Sequence, residues 1–388
     1  MLVRRQTFLP FASPALTEEE VCAVINTLRS CWITTGPQTK SFEQQFATFL
    51  GAESALALNS CTAGLHLALI TLGIGPGDEV ITTPMTFAAS ANVIEHVGAR
   101  VVLADVEPDT LLIDPLAVAD SITDRTKAIL PVHYAGHPAE MYPILDLAAA
   151  HKLFVIEDAA HALPASYCGE TVGTIGDLTS FSFYATKNLT TAEGGMLTGR
   201  SELIEKARTY SLHGMSRDAW RRYGENGSWY YEVVVPGFKY NLTDIQAAMG
   251  LVQLARLQKM QLRRQQVVAR YHEAFSNMPE LEVPTERPYC SSAWHLYVLR
   301  LNTDRLRIQR NQFIEEMKLR CIGTSVHFIP IHLHPYYRDK YGWMPLDFPI
   351  AYQEYQRLVS LPLHPALTEE DVDYVIDAVQ DIVEQYRC

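Results

Sequence analysis

The sequence predicts an α/β fold: a large, mostly parallel sheet covered by helices on both faces, followed by a smaller α/β unit. Three observations predict it. Seven short apolar runs (SALAL, EVITTP, RVVLAD, KAILPVH, LFVIED, TSFSFY and GMLTG) alternate with helix-like or loop segments. Apolar strands without polar alternation, set between helices, belong to a sheet buried on both faces. A proline-free stretch from Thr243 to about Met278 reads as one helix long enough to link two bodies. A chain of 388 residues, 48% of them hydrophobic, has the material for one large domain and a smaller one.

Each element has its own reason. Thr17-Glu-Glu-Glu20 is a capping box that starts a helix through VCAVINTLRS. SFEQQFATFL sets Phe42, Phe46 and Leu50 on one helical face. After the seven runs and the long helix, SAWHLYVLRL and GTSVHFIP predict strands. QRNQFIEEMKLR and the run after Thr368-Glu-Glu-Asp371 predict helices. The division that follows is residues 1–30 packing with the small unit, 31–255 as the large domain, and 256–388 as the small C-terminal domain. There is no internal repeat and no low-complexity tract.

Charge and cysteine usage exclude some classes. Formal net charge is 32 − 44 = −12, and an acidic surface repels a nucleic-acid backbone, so no nucleic-acid partner is expected. A phosphate-bearing ligand stays compatible, because helix ends and local amides override the global field. Seven cysteines, odd in number and without close pairing, fit reduced thiols in a cytoplasmic protein. The apolar run in MLVRRQTFLPFASP is short and broken by prolines, so neither a signal peptide nor a membrane span is expected.

In such sheets ligands bind beyond the carboxyl ends of the strands. LFVIED ends in Glu157-Asp158, with His161 just after. By default an acid there is a turn residue; the functional reading is a carboxylate that pairs with a protonated ring nitrogen. TSFSFY runs into Lys187-Asn188, with Ser182 before and Gly194-Gly195 after. A lysine after a strand is by default solvated, but a buried one with a lowered pKa is what a Schiff base requires. In NSCTAGLH, residues Ser60, Thr62 and Gly64 open a helix that is either a plain N-cap or an anion site. Phe87, after EVITTP, is core by itself or an aromatic ring beside a planar ligand. His327, His332 and His334 line a pocket or pack rather than hold a metal. The pairs Arg221-Arg222 and Arg263-Arg264 read as solvated faces, with a phosphate contact as the alternative.

Taken together, the run EDAAHALPASYCGETVGTIGDLTSFSFYATKNLTTAEGGM resembles the DegT/StrS-type nucleotide-sugar aminotransferases, supported by WITTGPQTKSFE, NSCTAGLHLAL, PVHYAGHP, PGFKYNLTDIQAAMG and SLPLHPALTEED. The likeness covers about residues 8 to 380. It implies pyridoxal 5′-phosphate (PLP) as cofactor and the fold type I architecture of aspartate aminotransferase, with a seven-stranded type of sheet. By the same resemblance Lys187 bonds the cofactor and shuttles the proton, and Asp158 pairs with the ring nitrogen. His161 lies near the phenolic oxygen, and Phe87 stacks on the ring. Thr62, Ala63 and Ser182 hold the phosphate, Asn241 reaches the phosphate of the neighbouring subunit of a homodimer, and His327 lines the sugar-nucleotide pocket. The implied reaction moves an amino group from glutamate to a keto-sugar nucleotide. WITTGP, PVHYAG and PGFKYNLTDI look most like the enzymes that make 4-amino sugars on UDP. Two alternatives stand beside it. Sugar dehydratases of this fold carry histidine in place of the lysine, whereas this chain has Lys187. A catalytically silent regulatory protein would not need the full set of Asp158, Ser182, Lys187 and Asn241.

Overall fold

A computed structural model describes residues 5–215 and 230–388; Arg221-Arg222 lie outside the described residues. Thr17 caps α1 (Glu18–Arg29) in a reciprocal capping box with Glu20. Helix α2 (Pro37–Leu50) begins at Pro37, earlier than its apolar face alone predicts, and buries Phe42, Phe46 and Leu50. The chain then alternates β1 (Ser54–Leu58), α3 (Cys61–Thr71), β2 (Glu79–Thr82), α4 (Ala88–His96), β3 (Arg100–Leu103), α5 (Pro115–Ser121), β4 (Thr126–Leu130), α6 (Met141–His151) and β5 (Phe154–Asp158). Two short strands, β6 (Ser166–Tyr167) and β7 (Glu170–Thr171), precede β8 (Leu178–Ser182), β9 (Gly195–Gly199) and α7 (Ser201–Ser211).

All seven apolar runs supply strands of one sheet, in the order β1-β9-β8-β5-β4-β2-β3. Pairs β2–β3, β2–β4, β4–β5 and β5–β8 are parallel, while β9 runs antiparallel to both neighbours. The sheet is therefore mixed. The connection from Ser182 to Gly195 contains no helix, so the chain turns back directly, as an antiparallel pair allows and a parallel one does not. Phe42, Phe46, Phe181 and Phe183 pack one face, and each buried ring contributes about 1.5–3 kcal/mol of transfer free energy.

Thr243 caps α8 (Asp244–Phe275) with Gln246 in a second capping box. Its first half, through Ala247, Leu254 and Leu257, joins the core of the large sheet. Its second half, through Val267, Val268, Tyr271 and Phe275, joins a separate core. That core also takes residues from β12 (Tyr297–Leu301), which follows the short β10 (Leu281–Glu282) and β11 (Cys290–Ser291), and from α9 (Arg310–Leu319). The short helices α10 (Pro335–Tyr341) and α11 (Pro349–Arg357) lead to β13 (Leu358–Leu361) and the capped α12 (Glu369–Tyr386).

The run GTSVHFIP, expected as a strand, forms none. It meets β13 only through the bridge Ser325↔Ser360, and β13 pairs with β12 in its place. Residues before α1 pack on the second core, with Leu9 buried in it and bridged to Ile322. Helix α1 itself lies along α8, where Gln253 donates to Glu20 at 2.7 Å. Arg264, expected at a solvated face, is instead buried at 2% exposure, while Arg263 pairs with Glu369. All seven cysteines are free. Among the described residues no helix is long and apolar enough to cross a membrane.

Candidate active site

The end of β5 delivers two acids to opposite faces, as a strand must. Glu157 is fully buried and used up by the protein. Gly176 N and Thr179 Oγ1 both donate to its Oε1 at 2.7 Å, and its Oε2 meets His133 Nε2 at 2.9 Å. His133 Nδ1 accepts from Ala139 N, so Nε2 carries the ring proton. Asp158 points the other way, into a cavity of about 560 Å³. Ser90 Oγ donates to its Oδ2 at 2.7 Å and Ala160 N to its Oδ1 at 3.1 Å. The Cys61 thiol also meets Oδ1, at 3.9 Å, while Oδ2 retains acceptor capacity toward the cavity.

Lys187 stands on the connection between β8 and β9. This stretch is tied down by Thr191 N donating to Phe183 O and Lys187 N donating to Tyr184 O, both at 2.9 Å. Burial lowers the amine's pKa from 10.5 to about 8, against the opposing pull of Cys61 and Asp158. At neutral pH part of it is therefore the unprotonated nucleophile.

The cavity gathers Thr62, Phe87, Asp158, His161, Ser182, Lys187 and His327, all singled out from the sequence. Phe87 is 64% exposed on the cavity side, not core, and its ring lies 6.1 Å from that of Phe328. His161 is buried, with Nδ1 unpartnered and its ring stacked on Phe328; burial, Lys187 and His327 push its pKa well below the usual range. His327 Nδ1 meets Ser360 Oγ at 2.8 Å, and burial brings its pKa down to about 4. His332 is fully buried, with its ring 5.0 Å from Phe348 and away from these groups.

Two expected residues stand outside the cavity lining. The amide of Ala63 is taken by the α3 N-cap, donating to Ser60 Oγ at 3.1 Å, which leaves the first amides of the turn for an anion. Asn241 donates through Nδ2 to Thr35 Oγ1 at 2.7 Å. Phe11, Ser90, His295 and Phe328 also belong to the site or its immediate support. Nothing in the sequence marks them: His295 and Phe328 lie inside SAWHLYVLRL and GTSVHFIP, which predict strands, and Phe11 and Ser90 stand in no motif. A Cβ at Gly195 would come 2.5 Å from the carbonyl carbon of Ser60, so only glycine lets β9 meet the start of α3 here.

This donor set fits PLP. It offers a lysine amine for the aldehyde, a carboxylate for the ring nitrogen and an exposed aromatic face for the ring. Hydroxyls at Thr62 and Ser182 stand beside a helix N-terminus for the phosphate, and the buried Nδ1 of His161 still lacks a partner.

Comparison with known proteins agrees. The model of the DegT/DnrJ/EryC1/StrS aminotransferase family matches residues 14–380. An uncharacterised protein of Methanocaldococcus jannaschii is 53% identical over 99% of this chain and 100% of its own length. The spore coat polysaccharide biosynthesis protein SpsC of Bacillus subtilis is 51% identical, over 99% of each. The putative sugar aminotransferase Spr1654 of Streptococcus pneumoniae, solved in a PLP form, superimposes with TM-score 0.91 at 36% identity, over 97% of this chain and 99% of that one. Its form with the aminated cofactor, pyridoxamine phosphate, gives TM-score 0.92 at 37% identity, again over 97% of this chain and 99% of that one. The architecture is that of PLP enzymes of fold type I, and the chain belongs to the PLP-dependent sugar aminotransferases of the DegT/DnrJ/EryC1/StrS family.

Proposed function

We propose that the enzyme moves an amino group from glutamate to a keto-sugar carried on a nucleotide, with a UDP-linked 4-keto sugar as acceptor, for amino-sugar units of cell-surface polysaccharide. The reaction would run in the cytoplasm. The observation that carries this reading is one cavity holding both a buried lysine amine with pKa about 8 and a carboxylate with spare acceptor capacity. The polysaccharide role named for SpsC supports the product class.

When bound, PLP supplies an electron sink that stabilises charge on the carbon next to the amine. Lys187, Asp158, Phe87, Thr62 and Ser182 would hold it. Asp158, its carboxylate oriented by Ser90 and Ala160, would favour a proton on the ring nitrogen. Lys187 Nζ takes a proton from the donor's carbon and returns one to the sugar carbon, work suited to a base titrating near neutrality. His161 and His327, kept uncharged by burial, offer polar contacts without competing for the lysine's proton. Phe11, Phe87 and Phe328 shield the reacting atoms from water. The working unit is a homodimer in which Asn241 of each subunit reaches the cofactor phosphate of the other.

A half-reaction screen tests the reading. L-glutamate should bleach the cofactor's visible band, and a UDP-linked 4-keto sugar should restore it. Restoration only by 3-keto sugars, or only by another nucleotide, would overturn the choice of acceptor. No bleaching by glutamate would overturn the choice of donor.

A further inference from the structure

His295 lines the cavity from the segment 293–296, which is neither helix nor strand and is tied to the loops after β4 and β8. Its orientation and proton are both specified by neighbours. Asn188, the residue after Lys187, donates through Nδ2 to Ala293 O at 2.7 Å. Its Oδ1 therefore faces His295 Nδ1, 3.1 Å away. An amide oxygen only accepts, so Nδ1 must carry the ring proton. Burial, with His161, Lys187 and Arg264 close by, keeps the ring uncharged. Nε2 is thus a lone-pair acceptor; the His161 ring lies beside it, tilted by 39° with centroids 4.4 Å apart, and among the described residues it makes no hydrogen bond to Nε2.

The backbone is held at the same place with unusual effort. Trp294 has φ 45°, the left-handed region, a conformation that costs about 1–3 kcal/mol for a residue with a side chain. Ala293 N donates to Gly136 O and Leu296 N to Ala135 O, at 2.9 and 3.1 Å. A Cβ on Gly136 would sit 2.9 Å from the amide nitrogens of both Trp294 and His295. Arg264, buried and without a carboxylate partner among the described residues, donates to Leu363 O at 2.8 Å and to Trp294 O and His295 O at 3.4 Å. A buried guanidinium spent on three carbonyls is costly unless the segment it holds matters.

We propose that His295 is a specificity-determining residue whose Nε2 accepts a hydrogen bond from a ring hydroxyl of the keto-sugar. This deepens the acceptor reading above and rests on it. A neutral acceptor with a fixed tautomer rewards an O–H and penalises its absence, because nothing in the protein replaces the lost donor.

The test is equilibrium binding to the holoenzyme without amino donor, so that no turnover occurs. The probes are UDP-4-keto-6-deoxyglucose and its 2-deoxy and 3-deoxy analogues. The wild-type enzyme should bind one analogue about tenfold more weakly than the parent. His295→Phe should weaken the parent by about the same factor and bind that analogue and the parent alike. His295→Met is a second apolar replacement should the Phe variant not fold. His295→Gln, whose amide can stand near the place of Nε2, should regain part of the preference. Preference undiminished in the apolar variants, or absent from the wild type, would overturn the role of His295 alone. Failure of the wild type to bind any of the three would overturn the UDP-sugar reading, and this role with it.

Discussion

Asp158 and His295 face the same cavity, yet they are held there by different means. Asp158 ends a strand whose backbone is locked on both sides: His133 N donates to its carbonyl, its own N donates to Pro131 O, and Ala159 N donates to Ser180 O. Ser90 Oγ, the Ala160 amide and the Cys61 thiol then orient the carboxylate. His295 has no such ladder. Its position depends on single contacts from Asn188, Gly136, Ala135 and Arg264, with a strained residue beside it. A strand end and the locally bonded connection after β8 place Asp158 and Lys187, while contacts from distant segments place His295. Substitutions at Asp158 and Lys187 should therefore cost rate, and those at His295 and the groups that hold it should cost selectivity.

The comparison breaks most clearly at Lys187. Lys187→Ala should lower turnover by more than about 10⁴-fold while leaving a folded protein that still holds PLP without a covalent bond. Borohydride trapping with mass spectrometry should find the label on Lys187 in the wild type and nowhere in the variant. Asp158→Asn keeps size and loses charge, so it should lose about 10²–10³-fold in single-turnover rate and far less in PLP affinity. A near-normal rate would remove Asp158 from the ring. A third test concerns the neighbouring subunit. Mixing Lys187→Ala with Asn241→Asp, each nearly inactive alone, should restore roughly a quarter of wild-type activity, because half the dimers are mixed and each mixed dimer has one intact site. No recovery despite subunit exchange would confine Asn241 to its own subunit.

The smallest effect is on stability. In the cofactor-free enzyme the Lys187 pKa is lowered by burial to about 8 from 10.5. Between those values the unfolded chain binds more protons than the folded one, so stability from this group rises as pH climbs through that window and is lowest below it. The Tm deficit of the wild type against Lys187→Met should therefore shrink from pH 7.5 toward pH 10. A deficit that does not change with pH would place the amine in water.

Much of the sheet wall was legible in the sequence. Strands buried on both faces read as continuous apolar runs, and the polar residues just past them, Asp158 and Lys187, fall where such sheets bind ligands. The direction of β9 was not read, because periodicity carries no sign, although the missing helix between Ser182 and Gly195 was a clue. Phe87, by itself expected in the core, is exposed because it stands at the N-terminal boundary of α4. GTSVHFIP has strand composition, but Leu358–Leu361 takes the place beside β12. His295 was hidden inside SAWHLYVLRL, since the Asn188 that defines its proton is 107 residues away in sequence. Arg264 was misread for the same reason: the carbonyls that hold it underground come from distant segments.

The bridge between Leu9 and Ile322 sets an order of events for a chain emerging from the ribosome. The two are 322 − 9 = 313 residues apart, and at about 5–20 residues per second the gap is roughly 15–60 s of synthesis. Throughout that interval the large sheet can assemble around its own core, while the bridge of Leu9 to Ile322 and the contact of Phe11 with the His327 ring cannot yet form. The first stretch of the polypeptide is thus among the last to find its place, and the mouth of the cavity closes only when the final third of the chain has arrived. Nascent chains halted before Ile322 should expose the Leu9–Phe11 stretch to protease, and chains halted after α12 should protect it.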